Sequence, residues 1–203
     1  MDLNTPLQSL LLRPDPARAL TAIANVDYAM TGRQIARVIH VSPTQTARAL
    51  QLLTHIGLIT RKPAGNAYLY AINDEHLLWP AIQAALSTPE QLHQRIRDFV
   101  TSSALPRASV ILYGSTARGD ATDVSDIDLV LICPEDAPAD ARDALASSLS
   151  SAVTRWTGNP AQVYELDVST LRQKAAATDP IVTSWLRDGV TLVGQSVPEH
   201  LEA

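Results

Sequence analysis

The sequence predicts an α+β chain in two parts, on three observations. Between Thr31 and Ile72, helix-start signals are followed by two β-rich runs around a turn. The apolar run Ala108–Tyr113 stops abruptly at Gly114-Ser115. Shortly after it, Ser125-Asp126-Ile127-Asp128 leads straight into another apolar run. With 203 residues, 46% hydrophobic and 18% charged, the chain has the length for two small domains and the composition to bury a core in each.

A first helix is expected over Asp15 to about Asn25, after Pro14 and Pro16. Thr31 followed by Gln34 is a capping-box pair, and Ile35, Ala36 and Ile39 recur at helical spacing, which gives a second helix. Ser42-Pro43 supplies an N-cap and a first-turn proline for a third. On that helix Thr44, Gln45, Arg48, Gln51 and His55 share one side, while Ala47, Leu50 and Leu53 are expected to face away. Gly57 ends it. Leu58–Lys62 reads as a strand, Pro63-Ala64-Gly65-Asn66 as a turn, and Ala67–Ile72 as the returning strand. Two amphipathic helices then follow, Glu75 to about Ser87 and Pro89 to about Ser103, the first of them bridging the two parts and carrying Trp79 at an apolar position.

In the second half, a strand that stops at Gly114 and turns into a helix exposes backbone N–H groups where a phosphate is favoured. Residues two apart on a strand share a face, so Asp126 and Asp128 present paired carboxylates at one end of a buried strand. Like charges this close repel unless a cation sits between them. Magnesium suits the position, since it prefers hard oxygen ligands and is commonly held by one or two carboxylates plus phosphate oxygens. A helix over about Ala137 to Thr154, a turn at Gly158-Asn159-Pro160, a strand over Ala161–Val168, a helix over Asp179–Arg187 and a short strand at Val190–Val193 complete the half.

The net charge of -5 is divided unevenly. Residues 1 to 85 hold seven Lys and Arg against five Asp and Glu, and the remainder holds nine against sixteen. From Tyr28 to Asn73 there is no acid, while Arg33, Arg37, Arg48, Arg61 and Lys62 all fall there, a local cationic surface that suits a phosphate backbone. The single cysteine, Cys133, excludes a disulfide framework or a cysteine-rich zinc site within the chain and reads as a small core residue. The N-terminus lacks a basic region followed by an apolar stretch, and no apolar run reaches the roughly 20 residues of a membrane helix, so a cytoplasmic location and no membrane partner are expected.

Two resemblances follow from these motifs. Helix, helix, short turn, helix and basic hairpin is the order of a winged helix-turn-helix, and residues 15 to 73, including HIGLITRKPAGNAYLY, resemble bacterial winged-helix repressors. The resemblance implies double-stranded DNA as a partner, with Thr44, Gln45 and Arg48 facing bases and Arg61 and Lys62 meeting phosphates, and a homodimer on paired half-sites. Gly114-Ser115, Arg118-Gly119-Asp120 and Ser125-Asp126-Ile127-Asp128-Leu129 resemble the signature of the polymerase-β-like nucleotidyltransferase superfamily and its small bacterial members. This second likeness spans about Pro106 to Gly194 and implies a mixed β-sheet flanked by helices. The expected domains are therefore a winged-helix DNA-binding domain with bridging helix at 1–85 and a nucleotidyltransferase domain at 86–203.

The nucleotidyltransferase resemblance implies that Gly114 and Ser115 hold a nucleoside triphosphate, that Arg118 reaches phosphate, and that Asp126 and Asp128 bind two magnesium ions. The implied reaction is attack of an acceptor hydroxyl on the α-phosphorus, giving a nucleotidylated acceptor and pyrophosphate. The family usually adds a third carboxylate from a later strand, as metal ligand or general base. Glu165 and Asp167 are both eligible: Glu165, nearer mid-strand, is favoured, and Asp167 is also placed to cap a helix beginning near Ser169. Two other readings remain open, a winged-helix transcription regulator whose second domain senses nucleotide, and a toxin–antitoxin component with a partner protein.

Overall fold

In a computed structural model, residues 13–119, 121–122 and 125–202 are described, and contacts divide the chain into two compact units between Thr88 and Pro89. Asp120, part of the Arg118-Gly119-Asp120 motif, lies outside the described residues.

The first unit contains α1 (Pro14–Ala24), β1 (Met30–Thr31), α2 (Gly32–Val38), α3 (Pro43–His55), β2 (Ile59–Ala64), β3 (Ala67–Ile72) and α4 (Trp79–Leu86). Local chemistry sets the helix starts. Thr31 accepts from the Gln34 amide while Gln34 Oε1 accepts from the Thr31 amide at 2.8 Å, a completed capping box. Ser42 caps α3 by accepting from the Gln45 amide, with Pro43 in the first turn. Each such cap is worth about 1 kcal/mol. The strands form an antiparallel sheet in the order β1-β3-β2. Its core joins Leu20 and Ile23 of α1, Ile35 of α2, Leu50 and Leu53 of α3, Ile59 of β2 and Ile82 of α4.

Three expectations for this unit are corrected, and one element is added. The turn is two residues, Gly65-Asn66, because Pro63 and Ala64 pair with Tyr68 and Ala67. Proline is tolerated there because β2 is an edge strand with N–H groups to spare. The helix expected from Glu75 begins only at Trp79, since Pro80 fits the first turn but not a helix interior, and Leu77 is left exposed. Ala47 is exposed, and Thr46 and Ala49 take the buried side of α3 with Leu50 and Leu53. The two-residue β1 was not expected at all; Met30 and Thr31 pair with Tyr70 and Leu69.

The second unit contains α5 (Thr88–Thr101), β4 (Ser109–Tyr113), α6 (Gly114–Arg118), β5 (Ile127–Cys133), α7 (Ala139–Thr157), β6 (Ala161–Asp167), α8 (Val168–Ala176), α9 (Pro180–Asp188), β7 (Val190–Val193) and α10 (Val197–Glu202). Its sheet runs β6-β5-β4-β7 and is mixed: β5 and β6 are parallel, while β4 is antiparallel to both β5 and β7. Both faces are covered. Val110, Leu112, Leu129 and Leu131 pack with Ile96 and Val100 of α5 and Leu145, Leu149 and Val153 of α7. Ile111, Val130, Ile132 and Leu166 pack on the opposite face with Leu171 of α8, Val182 and Trp185 of α9 and Val197 of α10. Cys133 is buried, and desolvation pushes its thiol up to about 11, as befits a core residue. Among the described residues no helix is long and apolar enough to cross a membrane.

Candidate active site

The strand-to-helix turn at Gly114 and the start of β5 meet at one end of the sheet. Tyr113, the last residue of β4, pairs with Asp128, the second residue of β5. Gly114 follows with φ 72°, and an added Cβ would collide with Oδ2 of Asp128. Both conditions demand glycine: the left-handed conformation disfavours other side chains, and the space beside the backbone belongs to the carboxylate. Ser115 then enters α6, and Arg118 at its end pairs with Asp188 of α9 at 3.5 Å. Asp188 carries no local signal in the sequence, lying 70 residues further along.

Asp126 precedes β5 by one residue and shares its face with Asp128. Burial and the neighbouring Asp126 push the Asp128 carboxyl above its ordinary value, with Arg118 pulling it down. No salt bridge to Asp126 or Asp128 occurs among the described residues. The structure therefore brings Gly114, Ser115, Asp126 and Asp128 together, with Arg118 near enough to act on Asp128.

Glu165, expected as the third carboxylate, stands apart from them. In the β5–β6 register Asp128 stands opposite Gln162, whereas Glu165 stands opposite Leu131 and Asp167 opposite Cys133. Three residues of strand correspond to roughly 10 Å. Alternation separates them further: Gln162 has the parity of Tyr164 and Leu166, on the face of Val130 and Ile132, and Glu165 has the parity of Val163, on the face of Leu129. Glu165 instead meets Arg142 of α7, Oε1 to Nε at 3.3 Å. Burial, opposed by Arg142, raises its carboxyl.

Asp167 also belongs to Arg142, at 2.7 Å, and caps α8 by accepting from the Thr170 amide and the Ser169 hydroxyl, each at 2.8 Å. The Thr170 amide, with Ser169 and Arg142 and against desolvation, holds its carboxyl far below the ordinary carboxylate range. Gln162 takes the position next to the aspartates. Its Nε2 donates to Oδ2 of Asp126 at 2.7 Å.

The residues fit a magnesium–nucleotide pair in part. Two carboxylates on one face, beside a glycine-bounded helix start, are a donor set that magnesium uses when phosphate oxygens complete its shell. Among the described residues no group of three His, Cys, Asp or Glu is placed to hold a metal unaided.

Residues 91–174 match the family model of the nucleotidyltransferase domain. No curated protein matches the chain. Among solved structures, a toxin–antitoxin crystallised with AMP-PNP is similar at 17% identity, covering 54% of this chain and 81% of that one, with a TM-score of 0.38. A MarR-family transcriptional regulator from Rhodococcus sp. RHA1 is similar at 20% identity over 49% of this chain and 79% of that one, with a TM-score of 0.35. A second MarR-family regulator, from Silicibacter pomeroyi DSS-3, is similar at 18% identity over 51% and 72%, with a TM-score of 0.35.

In the first unit, Thr44, Gln45 and Arg48 are exposed on α3 and Arg61 and Lys62 are exposed on β2. Arg48, Gln51, His55 and Arg61 line one shallow concave surface. The Arg61 guanidinium stacks over Tyr68 of β3, 4.3 Å from the ring centre, which holds the cation against the hairpin.

Proposed function

We propose that the chain is a nucleotidyltransferase that moves a nucleoside monophosphate from a nucleoside triphosphate to a hydroxyl acceptor, with magnesium held by Asp126 and Asp128. The observation that carries this reading is the pair of aspartates on one sheet face beside Gly114, inside the segment matched by the nucleotidyltransferase domain. Gly114 lets the backbone approach the triphosphate, Ser115 offers its hydroxyl and the first-turn N–H groups, and Arg118, steadied by Asp188, offers charge to phosphate. Magnesium, when bound, neutralises phosphate oxygens and favours departure of pyrophosphate. The acceptor oxygen forms its bond to the α-phosphorus as the bond to the bridging oxygen breaks, its proton passing to solvent and the bridging oxygen leaving with pyrophosphate. Glu165 takes no proton in this step, because it lies on the other face of the sheet.

Purified protein with magnesium and each labelled triphosphate in turn (ATP, GTP, CTP, UTP) tests the reading. A labelled product is expected that disappears in Asp126→Ala/Asp128→Ala. Absence of both transfer and pyrophosphate release across protein, nucleic-acid and small-molecule acceptors would reject it.

One observation favours a second reading. On β6 an amide, Gln162, stands opposite Asp128 while both acids of that strand lie on the other face, which suits a domain that binds nucleotide and reports it to an attached DNA-binding module. The winged helix-turn-helix reading of the first unit supplies that module: α3 would enter the major groove through Thr44, Gln45 and Arg48, with Arg61 and Lys62 on phosphates. On this reading duplex DNA binding, measured by fluorescence anisotropy, shifts when nucleoside triphosphate and magnesium are added. It is lost in Arg48→Ala/Lys62→Ala. Unchanged affinity in that double variant would remove DNA from the account.

A further inference from the structure

We propose that the second unit binds a phosphate group at the end of its sheet away from Gly114 and the aspartates, in a cavity lined by His200, Arg107 and Arg172. This site is independent of the reading of Asp126 and Asp128.

The cavity, about 320 Å³, lies beside the start of β4 and the end of β5, with Glu135 and Gln195 also in its wall. Small-ligand sites begin at roughly this size. His200 of α10 is only 7% exposed, and its Nε2 lies 2.9 Å from the hydroxyl of Ser109, which is 1% exposed. Ser109 already accepts from the Gln195 amide at 2.9 Å, just after the left-handed turn at Gly194. The Ser109 proton therefore goes to Nε2, since a buried hydroxyl proton without an acceptor is costly and no other acceptor meets it among the described residues. Burial, with Arg172 adding to it and Glu199 opposing, holds the imidazole below the ordinary histidine value, so the ring is neutral at neutral pH. Its one proton is left on Nδ1, which has no partner among the described residues. A donor on so buried a side chain, in the wall of a cavity and with nothing to donate to, calls for a ligand that accepts.

Two guanidinium groups share the cavity, and each is loosely held. Arg172 of α8 donates from Nε to the His200 carbonyl at 3.3 Å and meets Glu135 at 3.4 Å. Arg107 meets Asp136 at 3.0 Å, with both side chains largely exposed. Exposed pairs of this kind contribute little to the fold, so an anion can displace them at small cost. Two guanidinium forks and an imidazole N–H, from three separate parts of the chain, suit the several oxygens of a phosphate better than the two of a carboxylate. Glu135 competes for Arg172 and limits the affinity.

The test is calorimetric titration of the full chain, at neutral pH and without magnesium, with inorganic phosphate and with AMP in separate arms. One phosphate per chain is expected. Arg172→Gln should weaken binding by about tenfold or more, the usual worth of a hydrogen bond to a charged group. His200→Gln should do the same, since it keeps a partner for Ser109 in place of Nε2 but removes the Nδ1 donor. Glu135→Gln should tighten binding, because it releases Arg172. AMP bound more tightly than inorganic phosphate assigns the site to a phosphomonoester; otherwise it takes the free ion. Melting curves separate these effects from misfolding, and Arg172, exposed on α8, carries the test alone if His200→Gln does not fold.

No phosphate binding by the natural chain, or binding unchanged in Arg172→Gln, would overturn the inference. So would binding that Ser115→Ala abolishes, since the phosphate would then lie at the other end of the sheet.

Discussion

Two pairs of acids stand two residues apart at neighbouring strands of one sheet, and they have opposite fates. Glu165 and Asp167 face α7, and both reach Arg142, at 3.3 and 2.7 Å. Asp126 and Asp128 face the other way, and among the described residues Asp126 receives an amide hydrogen bond from Gln162 and Asp128 the more distant influence of Arg118. An acid pair that a fold neutralises with arginine serves the fold. An acid pair left close together, with one carboxyl raised by its neighbour, carries an electrostatic cost that a bound cation would relieve.

The comparison breaks most visibly at the aspartates. Replacing Asp126 and Asp128 together with alanine is expected to reduce magnesium-dependent transfer by more than about 100-fold, beyond the loss usual for an outer-shell partner alone. Isotope-labelled product formation measures it. The fold should survive the change, since neither residue makes a salt bridge among the described residues.

Asp167→Ala should act in the opposite sense, sparing nucleotide binding and destabilising the second unit. It removes a helix cap and a charge-assisted bond, for a cost of about 2 to 3 kcal/mol in urea unfolding. The sign with pH follows from the depressed carboxyl. Stabilisation by Asp167 is complete above its ordinary value of 3.8 and fades as pH falls below it toward the folded-state value. The gap between the natural chain and Asp167→Asn should therefore close in strong acid; a gap that widened there would contradict the assignment.

Smaller effects sharpen the contrast. Asp128→Asn should raise the Tm of the metal-free protein, because a carboxyl raised by burial is easier to bury neutral, and should weaken magnesium-dependent nucleotide binding in the same sample. A drop in both would indicate a structural role. Glu165→Gln should change stability by no more than about 1 kcal/mol, as its ion pair with Arg142 lacks good hydrogen-bond alignment.

What was legible in the sequence was local. Thr31 with Gln34, and Ser42 with Pro43, announce helix starts through contacts spanning three residues, and both form. Gly114 was legible as the end of a strand, and Asp126 with Asp128 as a pair, since period-two alternation needs no partner strand. Which residue of β6 stands beside the aspartates was not legible, because it depends on the register of β6 against β5, a non-local pairing in which a shift of one residue changes the face. Glu165 looked central in its own strand, but strand centre is not where the aspartates sit. Counting from the two strand starts, Ile127 and Ala161, which pair, would have put the second residue of each, Asp128 and Gln162, side by side. Arg142 and Asp188 gave no signal of their own, as charges on amphipathic helices usually mark a solvated face.

Nucleotide affinity in two single variants tests the central claim most directly. A fluorescent triphosphate is titrated with magnesium into the natural chain, Asp126→Asn and Glu165→Gln. Asp126→Asn should lose at least about tenfold in affinity, and Glu165→Gln should match the natural chain. Equal losses in the two, or loss in Glu165→Gln alone, would contradict the assignment of the metal–nucleotide site to the Asp126 and Asp128 face.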